Sequence, residues 1–229
     1  MLNWPDTLTQ ISVIIQYIGW AFFPILLLPI ILALFPKSKT LKDICDAIIR
    51  TVDGLNFLLG EVAKWALPLL VLTVAFSVFA LSIFGLSWTK LFESAEYLHA
   101  TAILLGAGAT LLAGQHVRVD IFHSQMSPSS RAMVDLIGFY LLLAPVCLII
   151  LWNSQSFTTF AWMIFEGSAE SDGIRGEFLL KTLIPAFSIL MLLQGLSIAL
   201  RSILLLVSDQ RPTRPPYTPP LFHDTEPSQ

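Results

Sequence analysis

The sequence is poor in charge, and long stretches of it carry none. Only 13% of its 229 residues are Asp, Glu, Lys or Arg, about half the share usual in soluble domains. A membrane-spanning helix needs about 20 apolar residues. Five charge-free stretches are long enough to cross a bilayer: 11–35, 65–88, 97–117, 136–165 and 182–200. This scarcity excludes a soluble globular domain and indicates an integral membrane protein.

Motifs that carry chemistry are also missing. The two cysteines, Cys45 and Cys147, form no C-x-x-C motif and are predicted to lie at different depths, so no disulfide is expected. The chain has no P-loop, no G-x-S-x-G and no H-E-x-x-H motif. His116 and His123 have no Cys or Glu at a metal-ligand spacing. We therefore predict that the protein is not an enzyme and holds no cofactor.

A basic leader is absent from the N-terminus. The first ten residues carry only Asp6 as a charged side chain, whereas a secretory signal peptide begins with a basic region. The apolar stretch 11–35 is also longer than the core of a signal peptide. It predicts an extra N-terminal hydrophobic helix within residues 1–39, bent by Pro24 and Pro29. A re-entrant or surface-lying segment is the alternative.

The segments between the apolar stretches are patterned. In residues 40–62, apolar side chains recur every three or four positions, at Leu41, Ile44, Ile48, Val52, Leu55, Leu59 and Val62. This period predicts an interfacial amphipathic helix on the inner membrane surface. Residues 63–208 follow with four core transmembrane helices, and the six prolines of 209–229 predict a disordered cytoplasmic tail. The predicted fold is all-α.

Lysine and arginine are distributed unevenly between the two sides of the membrane. With five spans, ten of them fall on the side of segments 36–64, 118–135 and 201–229, and three fall on the other side. The excess of basic residues marks the cytoplasmic side. The N-terminus is thus predicted to be outside and the C-terminus inside.

One predicted span carries a stripe of small residues, Ala102, Gly106, Thr110 and Gly114, one every four positions. On a helix this spacing forms a groove that lets another helix approach closely. The stripe is therefore a candidate helix–helix seam, either with the protein's own helices or with another subunit.

The most polar connection reads GQHVRVDIFHSQMSPSSRAMVDLIG, at 114–138. Arg118 and Asp120 would each cost about 2.5–3.5 kcal/mol at the centre of a bilayer. Ser127 is a favoured N-cap and Pro128 a favoured first helical residue, so a new helix is predicted to begin there. The segment is therefore interpreted as a cytoplasmic turn between two spans.

The same segment resembles the hallmark of the small, DctQ-type membrane subunits of TRAP transporters, which reads close to DGHVRVDxFYxxLSPRxRAxxDLxG. Three other elements agree in order: an FGxSxxxxxE pattern ending at Glu93, an acidic E-x-S element in FEGSAES, and a closing pattern in KTLIPAFSILMLLQG. The resemblance covers roughly residues 50–205. The chain departs from the pattern at Gln115, at His123 and in the segment ESDGIRGEFLLK at 170–181, which is predicted to lie outside the membrane. It also adds the N-terminal helix.

The resemblance implies a tripartite, sodium-coupled importer of organic anions in the bacterial inner membrane. A periplasmic binding protein delivers a substrate, typically a carboxylate, to a large membrane subunit that transports it. The small subunit braces the large one and touches no substrate, which agrees with the absence of charge from the five stretches. The implied partners are the large TRAP membrane subunit, the periplasmic binding protein in transient contact, and phospholipids, with no nucleic acid.

The resemblance also assigns roles to polar residues. The cytoplasmic turn motif comprises Gly114, His116, Arg118, Asp120, Arg131 and Asp135, and Arg118 is a candidate contact for a lipid phosphate. The candidate periplasmic docking residues are the outer charges Glu93, Glu96, Glu166, Glu170, Asp172 and Arg175. An ordinary solvated rim is the alternative for these outer charges.

Two other functions are compatible with the composition. Six tryptophans and four histidines are compatible with a haem-bearing membrane redox subunit, although no pair of histidines is matched in depth. A free-standing assembly or sensory membrane protein is the other alternative.

Overall fold

The computed structural model describes residues 24–114 and 126–208, and within these ranges the chain forms helices and no strand. In chain order the helices are α1 (Leu28–Leu34), α2 (Lys39–Phe84), α3 (Thr89–Leu112), α4 (Pro128–Gly138), α5 (Ala144–Ile164) and α6 (Glu177–Ser208). A turn of π-helix at Phe139–Leu143 joins α4 and α5 into one continuous helix.

Four helices of the described residues are long and apolar enough to cross a membrane: α2, α3, the joined α4–α5, and α6. They contain most of the charge-free stretches 65–88, 97–117, 136–165 and 182–200. The predicted all-α membrane fold with four core spans is therefore confirmed. Of the predicted N-terminal helix, residues 11–23 lie outside the described residues, so its crossing of the membrane stays a prediction.

Helix α6 lies at the centre of the bundle. In its most apolar window 67% of the residues are buried, against 6% to 17% in the corresponding windows of the other three spans. Helices α1 to α5 all contact α6. Leu196, Ala199 and Leu200 are completely buried and lie in the main hydrophobic cluster. The other spans therefore direct most of their surface away from the protein.

Helix α1 fixes the start of the described chain against this centre. Leu32 is completely buried, and the Tyr140 hydroxyl donates a hydrogen bond to the Leu26 carbonyl at 2.7 Å. Proline at position 29 has no N–H to donate to a carbonyl one turn earlier. The contact with α6 and Tyr140 holds residues 26–32 on the bundle.

Helix α2 is one unbroken helix of 46 residues. At about 1.5 Å per residue it is about 69 Å long, more than twice the roughly 30 Å of a hydrocarbon core. The Ser38 hydroxyl caps its start by accepting from the Leu41 N–H at 3.3 Å. Gly85, in the left-handed region at φ 64°, ends it. The predicted amphipathic helix 40–62 and the first core span are thus parts of one helix.

The apolar stripe predicted in 40–62 coincides only in part with the face that packs inside the chain, because three of its seven side chains are buried or pack against the main hydrophobic cluster. Val52 is buried, but Ile44, Leu55 and Val62 are each more than 40% exposed. The buried face is offset from the stripe and includes the polar residue Asp53. The exposed members of the stripe remain available to lipid, and the position of the helix on the inner membrane surface stays a prediction.

Candidate functional site

The connection between α5 and α6, residues 165–176, forms a folded loop that we call the outer loop. It begins at Phe165, a non-glycine residue in the left-handed region at φ 48°. Within the loop, the Ser168 N–H donates to the Ile174 carbonyl at 3.0 Å, and the Gly173 N–H donates to the Glu170 carbonyl at 3.1 Å. The loop therefore satisfies part of its own backbone.

Glu93, one turn into α3, binds this loop with both carboxylate oxygens. Oε1 accepts from the Ser168 hydroxyl, and Oε2 accepts from the Ile174 backbone N–H. The Ser168 hydroxyl also accepts from the Glu170 N–H at 3.0 Å. One carboxylate thus connects α3 to both sides of the loop, through hydrogen bonds that its charge strengthens.

Gly173 is required by the closeness of these groups. A Cβ at this position would lie 2.1 Å from Ser168 Oγ and 2.6 Å from Glu93 Oε1. Both separations are well below van der Waals contact, so any side chain here would displace the carboxylate or the hydroxyl. The glycine in the ESDGIRG segment therefore has a local structural reason.

Two ion pairs flank the outer loop. The Lys181 ammonium lies 2.6 Å from the Glu166 carboxylate and 3.6 Å from that of Glu177. Lys90 lies 3.1 Å from Asp172, with both side chains more than 60% exposed. An exposed pair of this kind contributes little to stability. The half-buried Lys181–Glu166 pair is the better anchor for the end of the loop.

The six candidate docking residues therefore divide into two groups. The carboxylates of Glu93 and Glu166 are engaged inside the chain. The side chains exposed to solvent are Glu96, Glu170, Asp172 and Arg175. Sequence reasoning missed that Glu93, Ser168 and Lys181, which belong to three separate motifs, meet at one loop. The only indication in the sequence was that Glu166 and Lys181, which carry opposite charges, lie on the two sides of this loop.

The cytoplasmic turn motif is described only in part. Gly114 is in the left-handed region at φ 67°, which favours glycine. His116, Arg118 and Asp120 lie outside the described residues. The predicted helix start is confirmed, because the Ser127 hydroxyl accepts from the Ser130 N–H at 3.3 Å and Pro128 opens α4.

Beyond that start, the Arg131 Nε donates to the Met126 carbonyl at 3.0 Å, and Asp135 is half-buried in α4. The roles of these two residues in the turn motif stay predictions.

The small-residue stripe of α3 lies partly against α2. A Cβ at Gly106 would lie 3.5 Å from the Ala63 Cβ, and a Cβ at Gly60 would lie 2.3 Å from the Ala109 Cβ. The two helices therefore approach closely where small residues meet. Ala102 is half-buried, whereas Thr110 is exposed and donates to the Ala107 carbonyl at 2.8 Å. A seam with another subunit stays a prediction.

A cluster of polar side chains lies between α2, α3 and α6. We call it the inner polar network; its members are Asp53, Asn56, Gln194, Ser197 and Arg201. Asp53 is only 3% exposed. Its carboxylate accepts from Gln194 Nε2 at 3.1 Å and from Ser197 Oγ at 2.9 Å, and it forms an ion pair with Arg201. Every interaction of this carboxylate joins α2 to α6.

Asn56 extends the network towards α3. Its Nδ2 donates to Gln194 Oε1 at 2.9 Å and to the Val52 carbonyl at 3.2 Å. Its Oδ1 lies against Gly108, where a Cβ would be only 1.9 Å away. Gly108 is therefore the position that lets α3 pack over the network.

The inner polar network was not anticipated from the sequence, because Asp53 and Arg201 both lie outside the five charge-free stretches. Sequence reasoning placed Asp53 in a cytoplasmic connection, whereas the structure buries it against the second half of α6. The sequence of α6 did contain an indication of this polar face. Gln194, Ser197 and Arg201 are spaced by three and four residues, and such residues share one face of a helix.

The described histidine, His99, is exposed on α3. Within residues 24–114 and 126–208, no group of three or more His, Cys, Asp or Glu side chains is arranged to hold a metal ion.

Comparison with known proteins identifies the family. The chain has no significant match among curated proteins or among solved structures. A family model described as "Tripartite ATP-independent periplasmic transporters, DctQ component" matches residues 70–205, more than half of the chain. The matched range contains Glu93, the outer loop and Gln194. The chain therefore belongs to the DctQ family, the small membrane subunits of tripartite ATP-independent periplasmic transporters.

Proposed function

We propose that the chain is the non-catalytic small membrane subunit of a sodium-coupled importer of organic anions, above all carboxylates. It braces the large transport subunit and helps the periplasmic binding protein to dock. Membership of the DctQ family is the observation that carries this proposal, since that family works with a large membrane subunit and a binding protein.

The unequal burial of the helices supports the bracing role. Because α6 occupies the centre of the bundle, the second half of α2, residues 62–84, is mostly exposed. Trp65, Leu72 and Phe76 on this half are each more than half exposed. Apolar surface of this extent requires lipid or another membrane subunit beside it.

The pairing of charges supports a role outside the transport path. Ionisable groups inside membrane proteins often mark ion or substrate pathways. Here Asp53 is paired with Arg201 and bound by Gln194 and Ser197. A carboxylate neutralised in this way is suited to holding helices together and poorly suited to binding a transported ion.

The outer loop is the proposed docking face. Glu96, Glu170, Asp172 and Arg175 are exposed on it or beside it. Charges of both signs on a fixed surface favour a soluble partner with the complementary pattern, mainly through faster association. We place this face in the periplasm and the α3–α4 turn in the cytoplasm, where Arg118 would contact lipid phosphate.

The orientation has a direct test by cysteine labelling. Ser171, in the outer loop, and Ser129, at the start of α4, are both exposed, while native Cys45 and Cys147 are buried. In spheroplasts, a membrane-impermeant maleimide is expected to label Ser171→Cys before lysis and Ser129→Cys only after it. The opposite order would reverse the proposed orientation.

The partner is tested by purifying the tagged chain from native membranes in mild detergent. We expect one large polytopic protein to be recovered together with the tagged chain, in an amount nearly equal to it. The pair, reconstituted in vesicles with the periplasmic binding protein, is expected to take up organic anions only with an inward sodium gradient. Recovery of the chain alone would contradict bracing, and a haem absorption band in the purified protein would favour a redox subunit.

A further inference from the structure

We propose that Glu93 is a positioning residue for docking: it holds the outer loop in one conformation and does not itself contact the binding protein. This inference rests on the proposed docking function. It reassigns Glu93, one of the six outer charges, from a contact residue to the residue that fixes the others in place.

The hydrogen-bond pattern makes the carboxylate specific for this task. Both oxygens of Glu93 accept, one from a hydroxyl near the start of the loop at Ser168 and one from a backbone N–H near its end at Ile174. Binding both ends of the segment 168–174 fixes its conformation, because neither end can move without losing a charge-assisted hydrogen bond.

The surroundings of Glu93 leave it little freedom to face a partner. It is half-buried between α3 and the loop, and the missing Cβ at Gly173 provides the space for its carboxylate. A second polar link between α3 and the loop, the Lys90–Asp172 pair, is more than 60% exposed on both sides and is screened by water. Of these two polar connections between α3 and the outer loop, the hydrogen bonds of Glu93 are therefore stronger than the Lys90–Asp172 pair.

A fixed loop has a consequence for binding. Glu170, Asp172 and Arg175 are exposed on or just after the segment that Glu93 holds. Ordering a mobile loop at the moment of docking costs conformational entropy, which lowers affinity, and a loop that is already ordered avoids this cost. Loss of Glu93 should therefore weaken docking and leave the turnover of the docked complex unchanged.

The positioning role is tested first by the mobility of the loop in the purified complex. A nitroxide attached at Ser171→Cys, which is exposed while both native cysteines are buried, reports loop motion. We expect a broad, hindered spectrum with native Glu93 and a narrow, mobile one with Glu93→Ala. Glu93→Gln should be intermediate, because the amide retains one acceptor oxygen. Glu61→Ala, which removes another carboxylate from an exposed ion pair, is the matched control and should resemble the parent.

The second test varies the concentration of substrate-loaded binding protein in the transport assay. Glu93→Ala is expected to raise the half-saturating concentration on the order of tenfold, with maximal uptake unchanged. The triple change Glu170→Gln, Asp172→Asn and Arg175→Gln should raise it in the parent and add little in the Glu93→Ala background. Such non-additivity shows that the two sets of residues act through one element.

The outcomes separate the two proposals. If Glu93→Ala leaves the nitroxide spectrum broad, the positioning role is wrong, whatever happens to transport. If the spectrum narrows but the triple change does not affect uptake, the loop is held by Glu93 and the docking face lies elsewhere. If Glu93→Ala lowers maximal uptake alone, Glu93 acts on a step after docking and the inference is overturned.

Discussion

Replacing Arg201 with alanine is expected to destabilise the helix bundle by about 3–5 kcal/mol. The substitution leaves the Asp53 carboxylate, only 3% exposed, with neutral hydrogen-bond donors and no cation. An unpaired buried charge is among the most costly single changes in a folded protein. Reversible unfolding of the purified protein in mixed micelles, followed by circular dichroism, measures the change in the free energy of unfolding.

Two companion variants identify the cause. Lys64→Ala breaks a pair with Glu61 of ordinary length, 2.9 Å, but with 65% and 44% of the two side chains exposed, so a change of about 0–1 kcal/mol is expected. Combining Arg201→Met with Asp53→Asn removes both charges and keeps an acceptor for Gln194 and Ser197. This double variant should recover most of the lost stability. Equal losses for Arg201→Ala and Lys64→Ala would show that the inner polar network does not stabilise the fold.

Replacing Gly108 with alanine is expected to cost about 1–3 kcal/mol, as overpacking of a close helix contact does. The new Cβ would lie 1.9 Å from Asn56 Oδ1 and 2.9 Å from its Cγ. Either α3 moves away from α2, or the Asn56 side chain rotates and loses its 2.9 Å hydrogen bond to Gln194. The same unfolding measurement applies.

Gly54→Ala is the matched control for Gly108→Ala. Gly54 is also inside a helix, but nothing lies within 4 Å of a Cβ placed there. Alanine at this position should stabilise the helix by about 0.5–1 kcal/mol, because it restricts the unfolded chain. In an Asn56→Ala background the cost of Gly108→Ala should largely disappear. If Gly108→Ala stabilises the protein as Gly54→Ala does, the close contact described between α2 and α3 is wrong.

The number of core spans was predictable because one physical rule determines it. A bilayer of nearly constant thickness requires about 20 apolar residues per crossing. The stretches 65–88, 97–117, 136–165 and 182–200 satisfy that rule without reference to any other part of the chain. The start of α4 was predictable for a similar local reason, since the Ser127 hydroxyl caps the helix by accepting from the Ser130 N–H.

The arrangement of the helices around α6 was not predictable in this way. All four core stretches are apolar, so hydropathy does not distinguish the helix surrounded by protein from those facing lipid. The continuity of α2 was missed because its first half has an amphipathic period and its second half is uniformly apolar. Because the two halves have different hydrophobic patterns, the sequence predicted two separate helices where the structure has one.

The candidate site was only partly predictable from the sequence. The outer charges were identifiable because they cluster on one side of the predicted spans. Which of them are held inside the chain depends on a loop whose hydrogen bonds join residues 75 and 81 positions apart. No local rule relates Glu93 to Ser168 or Ile174 at those separations.

The central position of the last helix constrains how the protein is made. Asp53 is synthesised 148 residues before Arg201, the residue that neutralises it. At the usual 5–20 residues per second, translation leaves Asp53 without its cation for about 7 to 30 s. During this interval the earlier helices can enter the membrane, but the side chains that join them to α6 do not yet exist. Packing around α6 is therefore a late step in assembly, and a chain that stops short of α6 leaves the Asp53 carboxylate without its cation.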